Sequence, residues 1–259
     1  MKRGAVDHTP LVQQLAAGGC VAPQEEAAEV IRAAADGTRP LEELVARRLS
    51  GEPLAWITGF VRFCGLRVQV DPGVYVPRPH TLALARRAAS LLPSDGIGVD
   101  LCTGSGAVAA VLVASKRGAT VLATEVDPAA VACARRNGVR ALLGSLDEPL
   151  PESIRGRVDV MTAVVPYVPA EELHLLPRDV LAHEPRHALD GGPGGTRFLE
   201  QVARLSAGWL APGGRVLVEL GGDQAVAIAG TIEGAGLSDI RVHRDEDGDA
   251  RAIEGRYPG

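Results

Sequence analysis

The sequence predicts an α/β fold, a Rossmann-like, mostly parallel doubly wound sheet with a C-terminal antiparallel hairpin, preceded by a small helical domain. Three observations predict it. Short apolar runs at Ile97–Leu101, Thr120–Thr124, Val158–Val165 and Arg215–Leu220 alternate with loop and helix patterns, the signature of a parallel sheet with crossover helices. The first of these runs leads into a glycine-rich turn, Cys102-Thr103-Gly104-Ser105-Gly106. The first fifty residues carry no such alternation and are instead rich in Ala, Glu, Leu and Arg.

Taken in order, the segment up to about Leu49 is broken by Gly18-Gly19, Pro23, Asp36-Gly37 and Pro40, which predicts three short helices. Residues 1–59 are expected to form the helical N-terminal domain. From Phe60 to Val76 the pattern changes: Leu66, Val68 and Val70 alternate with Arg67 and Gln69, and Asp71-Pro72-Gly73 supplies a turn. Residues 60–76 therefore read as a β-hairpin linker, and 77–259 as the α/β domain. A helix Ala107–Ser115 follows the glycine turn, and a last helix is expected over about Gln224–Ala235. Two short apolar segments close the chain, Ile240–Val242 and Ala250–Ile253, separated by Asp245-Glu246-Asp247-Gly248-Asp249. That acidic stretch is a hairpin turn; it lacks the spaced ligands and final glutamate of a calcium loop.

Composition narrows the functional classes. With 259 residues and 46% hydrophobic content the chain can fill one α/β core and a small accessory domain. No run of about twenty uncharged apolar residues is present, and Met1-Lys2-Arg3-Gly4 leads into Asp7 and His8 rather than a signal-peptide core, so a cytoplasmic protein without membrane contact is expected. Cys20, Cys64, Cys102 and Cys133 form no Cys-x-x-Cys pair, so reduced, buried thiols are expected rather than a disulfide framework or a zinc site. A net charge of -5 gives no general attraction to phosphate backbones, and direct nucleic-acid binding is not expected.

The chemistry starts at Val99-Asp100-Leu101-Cys102-Thr103-Gly104-Ser105-Gly106. A backbone without Cβ lets a ligand approach closely, and the following helix N-terminus offers free N–H groups. Glu125 ends the next strand, where a carboxylate can accept hydrogen bonds from ribose hydroxyls. Gly104-x-Gly106-x-x-Ala109 also satisfies the dinucleotide fingerprint, so an NAD-binding protein remains an alternative on these residues alone. Asp100 has two readings, a contact with a ligand ammonium, which is favoured, or a cap for the helix after the turn. Asn137-Gly138 reads as a helix stop. His183-Glu184-Pro185-Arg186-His187 matches the zinc-protease pattern, which needs one continuous helix; Pro185 opposes that, and no metal is expected.

These residues, with others, resemble the HemK/PrmC family of protein-glutamine methyltransferases. The similarity runs from about Arg48 to Gln224 and includes Gly51-Glu52-Pro53-Leu54-Ala55-Trp56-Ile57-Thr58-Gly59, Phe63 with Gly65-Leu66, and the loop Val76-Pro77-Arg78-Pro79-His80-Thr81. It continues through Asp100–Gly106, Glu125 with Asp127-Pro128, and His183-Glu184-Pro185-Arg186-His187-Ala188-Leu189-Asp190-Gly191-Gly192. The resemblance implies a Rossmann-like methyltransferase fold, S-adenosyl-L-methionine as cofactor, and a glutamine side-chain amide as acceptor, in a peptide-chain release factor or a ribosomal protein. It implies cofactor contacts at Arg78, Thr81, Asp100, Cys102, Thr103, Gly104, Gly106, Glu125, Val126, Ser145 and Val164. It places the acceptor beside Val164, Val165, Pro166, Tyr167 and Glu184. Glu184 would accept a hydrogen bond from the substrate nitrogen; its alternative is an ion pair with Arg186 or Arg78. The helical domain would grip the protein substrate.

The departures matter as much. The family's Asn-Pro-Pro-Tyr stands here as Val164-Val165-Pro166-Tyr167. In the family the asparagine side chain and a neighbouring carbonyl hold the amide NH₂, and the tyrosine ring packs beside it. An amide nitrogen is a poor nucleophile that must be oriented toward the methyl group, and Val164 offers no side-chain acceptor. The family's Thr-Glu stands here as Thr81-Leu82, and the acidic residue near the adenine is represented by Ser145 or the displaced Asp147. A small-molecule N- or O-methyltransferase and a non-catalytic S-adenosylmethionine-binding protein are the alternatives that Val164 keeps open.

Overall fold

The computed structural model describes residues 8–35 and 37–259. Met1–Asp7 and Asp36, used above for the leader and turn readings, lie outside the described residues. Three helices come first, Thr9–Ala17 (α1), Pro23–Ala34 (α2) and Leu41–Leu49 (α3), with Pro at the first or second position of α1 and α2, where its missing N–H costs nothing. Val30, Leu44 and Val45 form their small core, which Ile57 completes.

Ile57 belongs to a five-residue helix the sequence pattern did not reveal, Leu54–Thr58 (α4), stopped by Gly59 at φ 80°. The two neighbours of Ile57 turn the other way. Ala55 and Trp56 pack with Val70, Val74, Ala130 and Cys133, and the Trp56 indole donates to the Val74 carbonyl at 2.9 Å. Phe60–Phe63 (β1) and Leu66–Gln69 (β2) form the expected antiparallel hairpin. No disulfide joins the four cysteines; Cys133 is buried, whereas Cys20, Cys64 and Cys102 are only half-buried.

The main sheet has seven strands. Ile97–Leu101 (β3), Thr120–Glu125 (β4), Ala141–Leu143 (β5), Val158–Ala163 (β6) and Leu210–Glu219 (β7) are mutually parallel; Ala250–Arg256 (β9) pairs antiparallel to β7, and Ser238–Arg244 (β8) pairs antiparallel to β9. The order is β5-β4-β3-β6-β7-β9-β8. Asp245 closes the β8–β9 hairpin by accepting from Asp247 N and Asp249 N at 3.1 and 2.9 Å.

Both faces are covered. Thr81–Leu91 (α5) and Ala107–Ser115 (α6) pack on one face, around Leu84, Ala88, Val160 and Leu217. Arg197–Trp209 (α9) and Gln224–Gly234 (α10) pack on the other, around Val99, Leu101, Val216 and Ile228. Pro128–Arg136 (α7) links β4 to β5, and Arg178–His183 (α8) lies in the β6–α9 connection. The strand expected to reach Val165 ends at Ala163. Pro166 supplies no N–H to continue the ladder, and the chain leaves the sheet two residues early. β7 begins at Leu210 and not Arg215, pairing Leu210 with Val158 ahead of an irregularity in register. Among the described residues no helix is long and apolar enough to cross a membrane.

This topology fixes where a ligand binds. From β3 the chain winds outward through β4 and β5, then returns to β6 on the other side, leaving a crevice at the carboxyl ends of β3 and β6.

Candidate active site

At that switch point the chain turns sharply. Cys102, Gly104 and Gly106 have φ of 53°, 56° and 82°. Gly106 is needed twice over, because a Cβ there would also lie 2.9 Å from the Ala134 Cβ. Gly104 differs: a Cβ would meet nothing within 4 Å, because the residue faces open space. That space is a cavity of about 640 Å³, within the usual range for small-molecule sites. Its floor is Cys102, Gly104, Thr124, Glu125 and Val126 at the ends of β3 and β4, with Ser145, Leu146, Val164 and Pro166 alongside. Arg186, His187, Asp190, Arg197 and Phe198 close it from the β6–α9 connection.

Glu125 organises the floor. Its Oε2 accepts from Gly104 N at 2.8 Å, and its Oε1 accepts from Val126 N and Asp127 N at 2.8 and 3.0 Å. A carboxylate has about four acceptor positions, so the one left on Oε2 can take a ribose hydroxyl. The Thr124 hydroxyl, buried without a hydrogen-bond partner, lines the same space. A glycine open to the cavity, a carboxylate with one free lone pair and an unpartnered hydroxyl suit a nucleoside ligand such as S-adenosylmethionine.

A second cavity of about 350 Å³ adjoins the first, and Tyr75, Val164 and Ala188 line both. Val165, Tyr167, Arg78 and His80 belong to this one. The Tyr167 hydroxyl donates to Glu219 Oε1 at 3.2 Å, and His80 Nε2 lies 3.2 Å from each of these two oxygens. Burial, followed by the neighbouring Glu219 charge, drives the Tyr167 phenol well above its ordinary pKa, so it stays protonated. Glu219 is itself buried, and its Oε2 has no hydrogen-bond partner.

Of the residues expected to touch the cofactor, the structure brings Cys102, Gly104, Glu125, Val126, Ser145 and Val164 to the large cavity. Arg78, Thr81, Asp100, Thr103 and Gly106 do not line it. For Asp100 the geometry favours its other reading. It is buried, accepts from the Thr103 and Thr162 hydroxyls at 2.6 Å each, and bonds the Ala109 amide in the first turn of α6. It therefore caps that helix from the preceding strand. Burial outweighs these bonds and pushes its carboxyl up to about 6. Thr103 serves Asp100, and Thr81 is buried at the start of α5.

Among the expected acceptor-site residues, Val164, Val165, Pro166 and Tyr167 stand at the junction of the two cavities or in one of them. Glu184 lines neither. Its side chain is 1% exposed and binds Arg78 Nη2 at 2.6 Å, with Val76 N at 3.4 Å. The ion pair with Arg78 is what the geometry supports, in place of a contact with the reacting nitrogen. His183 ends α8, Glu184 is extended at φ -75° and ψ 144°, and the next turn starts after Pro185, so His183 and His187 share no helix. Asp147, offered for the adenine, is occupied by the Trp209 indole at 2.9 Å.

Sequence reasoning missed Tyr75, although it directly precedes the quoted loop 76–81, and Glu219, which has no motif around it. It also saw only half of Asn137. That residue does cap α7, but its amide also donates to Gln69 O and Ser105 O at 2.9 and 2.8 Å, tying the hairpin to the glycine turn.

No protein-family profile matches the chain. It is 37% identical over 219 residues to a release factor glutamine methyltransferase of Geobacter sulfurreducens, covering 82% of this chain and 76% of the relative. It is 34% identical over 253 residues to one of Neisseria gonorrhoeae, covering 95% and 88%. Among solved structures, a methyltransferase from Pyrococcus furiosus superposes with a TM-score of 0.56 at 20% identity, over 75% of this chain and 90% of that one. That likeness is one of fold.

Proposed function

Since the chain belongs to the release factor glutamine methyltransferase family, we propose that it transfers a methyl group from S-adenosyl-L-methionine to the side-chain amide nitrogen of a glutamine in a protein, a peptide-chain release factor being the acceptor its relatives' names specify. The observation that carries this reading is the junction at Val164. A cofactor-sized cavity meets a narrower one at the end of β6, where a single side chain can be presented to a bound methyl donor.

When bound, S-adenosylmethionine supplies an electrophilic methyl on a sulfonium whose sulfur keeps the bonding pair. The residues do the rest. Glu125 holds the ribose, while Gly104 lets the ligand lie against the backbone of the turn. Val164 and Val165 offer main-chain carbonyls to the amide N–H groups, turning the nitrogen lone pair toward the methyl carbon. As the N–C bond forms the C–S bond breaks, and one N–H proton leaves the nitrogen for water. Tyr167, anchored by Glu219 and His80, is a fixed wall of the acceptor cavity.

The N-terminal helices are assigned the docking of the protein substrate. A groove of about 530 Å³ lies beside them, lined by Glu25, Glu29 and Arg48 on one side and by Phe60, Pro77 and Arg78 on the other. Translation factors work in the cytoplasm, and so by this reading does this enzyme.

Transfer of labelled methyl from S-adenosylmethionine into lysate of a host lacking this gene tests the proposal. Label in one protein band, mapped to glutamine, is expected. Label confined to the small-molecule fraction overturns it in favour of a metabolite N- or O-methyltransferase; S-adenosylmethionine binding with no label anywhere overturns it in favour of a non-catalytic protein.

A further inference from the structure

An amide nitrogen that is to attack a methyl group needs hydrogen-bond acceptors on its N–H bonds, so the junction of the two cavities must supply them. Val164, Ala188 and Tyr75 line both cavities, and among these Tyr75 alone has a hydrogen-bonding side chain. The other polar side chains that line the acceptor cavity are donors only or are already bonded within the fold; Glu219 lies behind them and lines neither cavity. Arg78 is a donor only. Tyr167 and His80 are engaged with each other and with Glu219. Asp190 keeps acceptor positions beyond its bonds from Gly192 N at 3.0 Å and the Arg186 guanidinium at 3.3 Å, but it lines only the cofactor cavity and not the junction.

Tyr75 lies midway along the loop between β2 and α5. The Arg78 guanidinium sits over its ring, 4.9 Å from the centroid, and the buried Glu184 holds Arg78 in turn. The ring is thus fixed by packing and charge. Burial pushes its phenol up to about 12, so it remains neutral at ordinary pH. A phenol oxygen has two lone pairs, one of which can take a substrate N–H.

We propose that Tyr75 is a specificity-determining residue of this enzyme, its hydroxyl oxygen accepting a hydrogen bond from the target amide nitrogen at the one place where Val164 has no side-chain atom to do so. The inference rests on the glutamine reading given above. It makes the pair Tyr75 and Val164 a unit: an acceptor is supplied from the loop after β2 because the end of β6 supplies only carbonyls.

The test is a double-mutant cycle on kcat with a purified protein acceptor, with S-adenosylmethionine affinity measured for each variant. Tyr75→Phe keeps the ring and removes the oxygen; kcat should fall about 10- to 100-fold with cofactor affinity within about threefold of the parent. Val164→Asn places an amide oxygen at the neighbouring wall position. Its benefit to kcat should be at least about tenfold larger in the Tyr75→Phe background than in the parent. Tyr75→Leu is a second truncation of the same hydroxyl and should show the same coupling if Tyr75→Phe fails to bind cofactor. A parent enzyme that labels glutamine while Tyr75→Phe keeps its kcat within about twofold overturns this inference alone, as do equal effects of Val164→Asn in both backgrounds. A parent that labels no glutamine overturns both the functional reading and this one.

Discussion

The two walls of the crevice are built on different principles. The cofactor wall is made of main chain: Gly104, Val126 and Asp127 give their amides to Glu125, and three left-handed residues set the path of the turn. The acceptor wall is made of side chains from distant segments: Tyr75 and His80 from the loop after β2, Tyr167 after β6, Ala188 before α9 and Glu219 at the end of β7. Backbone geometry holds a ligand whose shape does not change between relatives, and it needs only a few glycines and one carboxylate. Side chains can be exchanged singly. This chain departs from its family's pattern at side chains, at Val164 and Val165 on the acceptor wall and at Ser145 beside the cofactor cavity, while the glycine turn is intact.

Removing the one side chain on which the cofactor wall depends should break it most severely. Glu125→Ala strips an acceptor from three backbone amides and from the ligand. Each lost bond is worth about 1–3 kcal/mol, so affinity for S-adenosylhomocysteine, read by titration calorimetry, should weaken by at least about a hundredfold. A dissociation constant within about threefold of the parent would mean that the amides hold the turn without Glu125, and the contrast between the walls would fail.

The contrast also explains what was legible in the sequence. β3, α6 and the final hairpin were readable because local patterns decide them: an apolar run before glycines, an acidic turn between alternating segments. Glu125 was readable because its partner Gly104 lies only one strand–helix unit earlier. The partners of Asp100 within the fold were not legible, because Thr162 on a neighbouring strand comes beside it only when the sheet forms. Tyr75 stood beside the proline-rich loop 76–81 but outside its pattern, and Glu219 carried no local signal. The early end of β6 was foreshadowed by Pro166, but the apolar run through Val165 outweighed it. α4 is too short for a helical period to show, and its two-sided burial, Ile57 one way and Trp56 the other, mimics no single amphipathic face.

Glu184 sharpens the comparison at intermediate cost. If it supports the acceptor wall only through Arg78, Glu184→Gln should lower stability by about 2 kcal/mol, because the guanidinium loses its charge partner while remaining 26% exposed to water. The rate of the folded enzyme should then fall by less than about fivefold. Urea unfolding gives the first quantity, and kcat under conditions where both proteins are folded gives the second. Full stability with kcat reduced about a hundredfold would return Glu184 to the reacting nitrogen.

The smallest effect belongs to Asp100, beneath the cofactor wall, and it carries a sign. With its carboxyl raised to about 6 in the fold from an ordinary 3.8, the folded protein holds a proton that the unfolded chain has released throughout that window. Stability attributable to Asp100 therefore falls as pH rises through the window and grows as pH drops toward 3.8. Asp100→Asn cannot titrate. The stability of the parent relative to this variant should thus rise by about 1 kcal/mol between about pH 7.5 and about pH 5, measured by urea unfolding of the cofactor-free proteins at both values. The opposite slope would mean that the folded carboxylate is stabilised as an anion. A ligand ammonium then becomes the better reading of Asp100, and the cofactor wall rests on a side-chain charge as well as on its amides.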